Sequence, residues 1–280
     1  MKKQIVVIGL GLIGASLAMA LRGFEDYTVV GVDVDAETLK YAQEHGVADS
    51  IMADGKSAIA TADVVFLCLH PQAIVDFLLK HREDFCPGAL ITDVCGIKTA
   101  IMEAASVLPP SVDFIGCHPM AGKETSGIFN AEASLFDHAH FIITPRPESM
   151  PEHIALMARM AAYMGFRDVV NTTPQHHDAI IAYTSQVMHV LAVAVCDDPD
   201  LFDCRGFEGG SFRDCTRVAA LDVPLWTELF SMNAPALCTI IARLEDNLRL
   251  YREAIASGDR KALSKKLIHS SERKRRMNLE

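Results

Sequence analysis

Residues 4–14, Gln4-Ile5-Val6-Val7-Ile8-Gly9-Leu10-Gly11-Leu12-Ile13-Gly14, decide the fold. A β-branched run ends at the first glycine, and an apolar helical pattern starts at the second. A Gly-x-Gly-x-x-Gly run means little alone, but here it lies between a strand and a helix. The first glycine permits the tight turn, the second lets backbone approach a pyrophosphate, and the third allows close helix-strand packing. Phosphate oxygens then meet the free N–H groups and positive dipole of the helix N-terminus. The cofactor-binding candidates of this loop are Gly9, Leu10, Gly11, Leu12, Ile13 and Gly14.

Working outward, short apolar runs recur at Thr28–Val32, Val64–Leu67, Ala89–Thr92 and Phe114–Gly116, separated by helical patterns. Such runs lack polar alternation, as expected of strands covered on both faces. Strand-helix alternation of this kind predicts an α/β doubly wound, Rossmann-type sheet, with Phe141–Thr144, a helix near Glu152–Met164 and Val169-Val170 extending its far edge. After Thr172 the texture becomes helical. Helices are expected over Gln175–Cys196, Gly210–Ala220, Pro224–Ser257 and Arg260–Met277, broken at Gly258-Asp259. The reading is a dinucleotide-binding domain over residues 1–170 and an all-α substrate-binding and dimerisation domain over residues 171–280.

Composition narrows the class. Half of the 280 residues are hydrophobic and 22% are charged, a globular balance. A net charge of -10 argues against nucleic acid and anionic membrane surfaces as partners. The basic run from Lys261 to Arg276 reads as a solvated helix face. Eight cysteines form no Cys-x-x-Cys pair and several sit in apolar runs, so they read as reduced packing residues. The N-terminus lacks a secretory pattern, and no uninterrupted apolar run reaches the roughly 18 residues of a spanning helix, so a cytoplasmic location is expected.

Asp33 closes the second strand near the offset where an acid meets the adenine-ribose hydroxyls, and no arginine follows to hold a 2′-phosphate, which favours NAD over NADP. A plain helix N-cap is the other reading of Asp33. Leu69-His70-Pro71 and Cys95-Gly96 end strands on the same carboxyl edge and are placed in the cofactor cleft, although His70 also reads as an ordinary loop residue. At the end of Phe114–Gly116 stands His118, in a loop-forming segment. A histidine beside the nicotinamide can remove a hydroxyl proton as hydride leaves the same carbon. His138 and His140 have metal-ligand spacing without a third ligand, so no metal is expected.

Gly116-Cys117-His118-Pro119-Met120-Ala121-Gly122-Lys123-Glu124 resembles the signature of the prephenate dehydrogenase family. His177-Asp178 with Ser185-Gln186-Val187-Met188-His189, and Gly209 to Ala219, resemble its helical-domain segments, so the matches run in order over nearly the whole chain. The resemblance implies oxidation of prephenate at its ring alcohol, hydride passing to NAD and the ring carboxylate leaving as carbon dioxide, to give the tyrosine precursor 4-hydroxyphenylpyruvate. It further implies His118 as the catalytic histidine, Arg217 as the carboxylate-holding arginine and His189 and Gln186 as pocket residues. Glu124 and Asp178 would be the acids of ionic contacts that close the pocket, and Arg213 is the next candidate for the substrate should Arg217 not hold it. The alternative reading makes Glu124 or Asp178 a plain surface acid, and His189 a core histidine on its helix. Gly96 and Gln186 depart from the commoner Ser and His of those motifs, which leaves the substrate open between prephenate and arogenate.

The family's helical domain forms a dimer, so a homodimer is expected, without an added mutase or regulatory domain. Another two-domain NAD(P) oxidoreductase, or a regulator that senses NAD without chemistry, are the competing readings. The helical-domain motifs count against the first, and His118 with Arg217 against the second.

Overall fold

The computed structural model describes residues 2–279. Met1 and Glu280, the outermost residues of the two expected domains, lie outside the described residues. Eight strands form one sheet: β1 (Lys3–Ile8), β2 (Tyr27–Val32), β3 (Ser50–Met52), β4 (Val64–Leu67), β5 (Leu90–Asp93), β6 (Asp113–Pro119), β7 (His140–Pro145) and β8 (Asp168–Asn171). Helices α1 (Leu12–Leu21), α2 (Ala36–Glu44), α3 (Gly55–Ile59), α4 (Pro71–His81), α5 (Thr99–Ala104) and α6 (Pro151–Tyr163) lie between them. The order is β3-β2-β1-β4-β5-β6-β7-β8. The first six are parallel, with the strand order reversing at β1. This is the doubly wound Rossmann arrangement read from the sequence, and β3 is a strand that reading missed, since three residues show no period. β7 returns antiparallel to β6 because residues 120–139 form a loop rather than a crossover helix.

Side-chain alternation along the strands divides the core between the two faces. Ile5, Val7, Val64, Phe66 and Ile115 pack with Leu17 and Leu21 of α1 and Met157 and Met160 of α6. Val6, Ile8, Val65, Leu67 and Ile91 pack with Ile74 and Leu78 of α4 and Ile101 of α5. Burying each such side chain stabilises by about 1.5–3 kcal/mol, and burial on both faces is why the strands read as solid apolar runs.

Register sets the site. Ile8 lies beside Val32 of β2 and Leu67 of β4, so Gly9, Asp33 and Cys68 leave the sheet side by side at its carboxyl edge. Two backbone bonds tie them, Gly9 N to Val32 O and Cys68 N to Ile8 O, both 2.8 Å.

The remaining helices are α7 (Pro174–Ile181), a π turn over Ala182–Gln186, α8 (Val187–Cys196), α9 (Gly210–Thr216), α10 (Val223–Met232), α11 (Ala234–Ala256) and α12 (Arg260–Met277). The helix expected over Pro224–Ser257 is two. Pro235 lacks an N–H, its ring collides with the carbonyl four residues back, and the chain breaks at Asn233. The stretch Pro174–Cys196 is also, by length and composition, apolar enough to cross a membrane. That corrects the expectation from uninterrupted runs, because its scattered polar residues hide a high average. His177, Asp178 and Gln186, on its buried side, are hydrogen-bonded within the sheet-bearing unit.

The chain packs as two compact units, Met1–Asn233 and Ala234–Glu280. This division lies later than the change of texture near residue 170, because α7 to α10 dock on the sheet half. Leu229 of α10 belongs to the α4–α5 core, and Glu228 accepts from Gln72 N at the start of α4 at 2.8 Å. The second unit is a hairpin of α11 and α12, turned at Gly258 (φ 67°) and joined by a 3.1 Å bond between Tyr251 Oη and Ser270 Oγ.

Candidate active site

The glycine loop has the geometry its sequence demands. Gly9 takes φ 91°, and a Cβ there would lie 2.4 Å from Cys68 O; one at Gly14 would lie 1.9 Å from Gly9 O. Around Gly11, the N-cap of α1, no atom lies within 4 Å of a Cβ position, which leaves open space at the helix N-terminus for phosphate. Asp33 Oδ2 accepts from Leu10 N at 2.7 Å, and Oδ1 accepts from Asp35 N at 3.0 Å. Asp35, not Asp33, caps α2 by accepting from Thr38 N at 2.8 Å. The Asp33 carboxylate is thus held by two donors, with lone pairs left for ribose hydroxyls. Val34, directly after it, is an apolar side chain 93% exposed to solvent and was not singled out by the sequence reading. Its only signal was a β-branched residue among polar ones. These residues fit a bound NAD.

Leu69 reaches towards Gly9, a Cβ there meeting Leu69 Cδ2 at 2.9 Å. His70 is exposed at the N-cap of α4 without a capping bond, and Pro71 begins that helix. Cys95 departs from expectation. Its side chain is buried in the α4–α5 core, where burial pushes the thiol up to about 12, so only its backbone can face a cofactor. Gly96 beside it is half-buried.

His118 stands near the carboxyl end of β6, half-buried, with its ring against the Gly96 loop: a Cβ at Gly96 would lie 3.9 Å from His118 Cε1. Its Nδ1 lies 2.9 Å from His177 Nε2, and His177 Nδ1 lies 2.8 Å from Asp178 Oδ1. Desolvation holds the His118 imidazolium pKa well below the ordinary 6.5, with His177 and Lys98 adding to it and Asp178 opposing. His118 is therefore neutral at pH 7, as a proton acceptor must be. Lys98 is fully buried and ion-paired with Asp93, which also accepts from Cys95 N at 2.8 Å and so ties down the β5 loop.

The substrate-side candidates divide. Arg217, in a 3-10 turn after α9, forms an ion pair with Glu124 of the His118 loop, and both side chains are about half exposed. His189 is half-buried, stacked 3.6 Å from Trp226, its Nδ1 donating to Ser185 O at 3.1 Å. Arg213 is exposed.

Two others are buried and bonded to the protein itself. Asp178 is buried at 5% exposure, accepting from Lys98 N at 2.7 Å and Thr99 N at 2.8 Å, so it does not close a pocket with a cation. Gln186 is buried at 1%. It donates to Leu229 O at 3.3 Å and accepts from Asn233 Nδ2 at 2.8 Å, an amide spent on joining α8 to α10. The sequence could not show this, because the partners lie more than 40 residues away. His177, bonded to His118, and Lys98, paired with Asp93, are the neighbours of the site that the sequence reading did not single out, their one signal being position beside Asp178 and the Gly96 loop. A cavity of about 850 Å³ is lined by Pro145, Arg146 and His176, and His118 is not among its lining residues. No metal-binding cluster occurs among the described residues.

Comparison with known proteins follows the same outline. Residues 17–170 match the family model for the prephenate dehydrogenase nucleotide-binding domain, and residues 173–269 that for its dimerization domain. A cyclohexadienyl dehydrogenase of Zymomonas mobilis is 30% identical over 92% of this chain and 90% of its own. The Synechocystis arogenate dehydrogenase structure superposes with TM-score 0.83 at 31% identity, covering 98% of this chain and 99% of that one. The Aquifex aeolicus prephenate dehydrogenase complexed with hydroxyphenyl propionate and NAD+ gives TM-score 0.87 at 25% identity, covering 99% and 98%. With both domain models matched in order behind a phosphate-ready glycine loop and a neutral histidine at the sheet edge, the chain belongs to the prephenate dehydrogenase family.

Proposed function

We propose that this chain is a cytoplasmic, homodimeric NAD-dependent dehydrogenase that oxidises and decarboxylates prephenate to 4-hydroxyphenylpyruvate for tyrosine synthesis. Residues 1–170 hold the cofactor and residues 171–280 supply substrate contacts and the dimer surface. The observation that carries this reading is His118, neutral and held at the carboxyl edge of the sheet beside the Gly96 loop. NAD held by the Gly9–Gly14 loop and Asp33 would supply the hydride acceptor for the ring carbon that bears the hydroxyl. His118 takes the hydroxyl proton, worth roughly 10²–10⁴-fold in rate for a positioned base. As carbon dioxide leaves, the electrons of its bond enter the ring and complete aromaticity, and His118 returns its proton to the phenolate oxygen.

Arg217, paired with Glu124, offers a guanidinium that suits a substrate carboxylate, and it brings the helical region to the His118 loop. His189 presents its free ring nitrogen from α8, and Arg213 stands as a second cation.

Arogenate is the second reading. It carries the same ring alcohol and ring carboxylate, and the 31% identical Synechocystis structure is an arogenate dehydrogenase. The test is reduced-nicotinamide absorbance with NAD or NADP against prephenate or arogenate. Prephenate with NAD should give the highest kcat/KM, and NADP should be poor because Asp33 repels a 2′-phosphate. No reduction with either substrate sinks the proposal, and a clear preference for arogenate replaces its substrate.

A further inference from the structure

His118 carries a single side-chain hydrogen bond among the described residues, the one to His177, and the neighbouring residue Gly96 has no side chain to offer another. We propose that His177 is a positioning residue, held by Asp178, that fixes His118 in the tautomer with its proton on Nδ1 and its Nε2 free to act as base. The inference rests on the assignment of His118 as the proton acceptor.

Donors and acceptors alternate along a chain of bonds from Asp178 to His118. Asp178 Oδ1 accepts from Lys98 N at 2.7 Å and Oδ2 from Thr99 N at 2.8 Å, which fixes the carboxylate in place. Its burial is outweighed by the bonds from His177, Thr99 and Lys98, which hold its pKa below the usual value. It stays ionised and can only accept. His177 must then carry its proton on Nδ1, 2.8 Å from Asp178 Oδ1. Burial holds His177 neutral, so its Nε2 is a lone pair. His118 Nδ1, 2.9 Å away, must be the donor to it. The lone pair of His118 is thereby placed on Nε2, a tautomer that free histidine in water disfavours. When Nε2 takes a proton, the Nδ1–H bond persists and the Asp178 charge, one ring further on, stabilises the cation. His177 is 2% exposed on α7 and Asp178 follows it directly, so the helical region supplies this alignment to a histidine of the sheet.

The test is long-range proton–nitrogen correlation NMR on protein labelled with ¹⁵N-histidine at pH 7.5, His118 being assigned by its loss in His118→Asn. The expected wild-type pattern is protonated Nδ1 and unprotonated Nε2. In His177→Phe the Nε2–H form should appear, and kcat should fall about tenfold or more with KM within about twofold. His177→Gln, whose amide can accept from His118 and donate to Asp178, should recover much of kcat and the wild-type tautomer. A wild-type His118 protonated on Nε2, or His177→Phe with unchanged tautomer and kcat, overturns the proposal. The wild-type spectrum decides even if the Phe variant does not fold. Near wild-type turnover in His118→Asn would instead sink the base assignment and leave the tautomer result standing.

Discussion

At the scale of single residues, the site depends on a few groups whose charge is set by burial. His118 carries a pKa depressed chiefly by desolvation, so the base form persists below the ordinary 6.5 of histidine. The acid limb of kcat/KM against pH is therefore expected below 6.5, with rate lost only as pH falls through the depressed value. The same shift contributes stability that is fully present above 6.5 and is lost as pH falls towards the folded-state value, because the unfolded chain then binds the proton more readily. A limb at or above pH 7 would assign the titration elsewhere. Arg217 is governed by exposure instead. Its ion pair with Glu124 is surface-exposed and contributes on the order of 0–1 kcal/mol, so Arg217→Ala should leave the melting temperature nearly unchanged. Loss of charge-assisted bonds of about 1.5–3 kcal/mol each should still raise KM for prephenate by roughly tenfold or more. Lysine should rescue little, since a point charge lacks the guanidinium fork. An unchanged KM would point to Arg213.

At the scale of elements, the strand-loop-helix unit at the N-terminus combines packing and binding in one glycine. A methyl at Gly14 would sit 1.9 Å from Gly9 O and 2.9 Å from Cys68 Cβ, backbone and core that cannot yield cheaply. Gly14→Ala should therefore push α1 off β1. We expect at least a tenfold loss of NAD affinity by calorimetric titration, together with a lower melting temperature. Retained affinity would show that the phosphates do not rest on this helix N-terminus. The π turn at Ala182–Gln186 is a second such element. It lies between the buried His177-Asp178 pair and His189, the two ends of one helix that face different tasks.

For the whole molecule, the helical half carries more apolar surface than one chain covers. In the first unit Ile180, Tyr183, Met188 and Val195 are 43–58% exposed along α7 to α8. In the second, Ile255, Leu267 and Ile268 are 54–63% exposed on α11 and α12. Exposed apolar side chains on these helices offer surface for a second copy to cover. Light scattering after size exclusion should give twice the 30.6 kDa chain mass, and Met188→Glu should shift it towards the monomer. A monomeric mass for the unaltered chain would remove the dimer.

The amino-acid sequence by itself determined the doubly wound sheet, the glycine loop, the acid at Asp33 and the place of His118. Each is written in contiguous residues through local physics: the period of apolar side chains, a glycine where no Cβ fits, and an acid a short step beyond its strand. Tertiary structure decided what joins across distance. It buried Asp178 and Gln186, which read as pocket residues, and spent their polar atoms on backbone and side-chain partners. It brought Glu124 to Arg217 and His177 to His118, pairs 93 and 59 residues apart. It also placed Asp35 rather than Asp33 at the cap of α2 and split the expected long helix at Asn233. A side chain's type and neighbours in sequence state what bonds it can make, and only the packed chain states which of them water has left unmade.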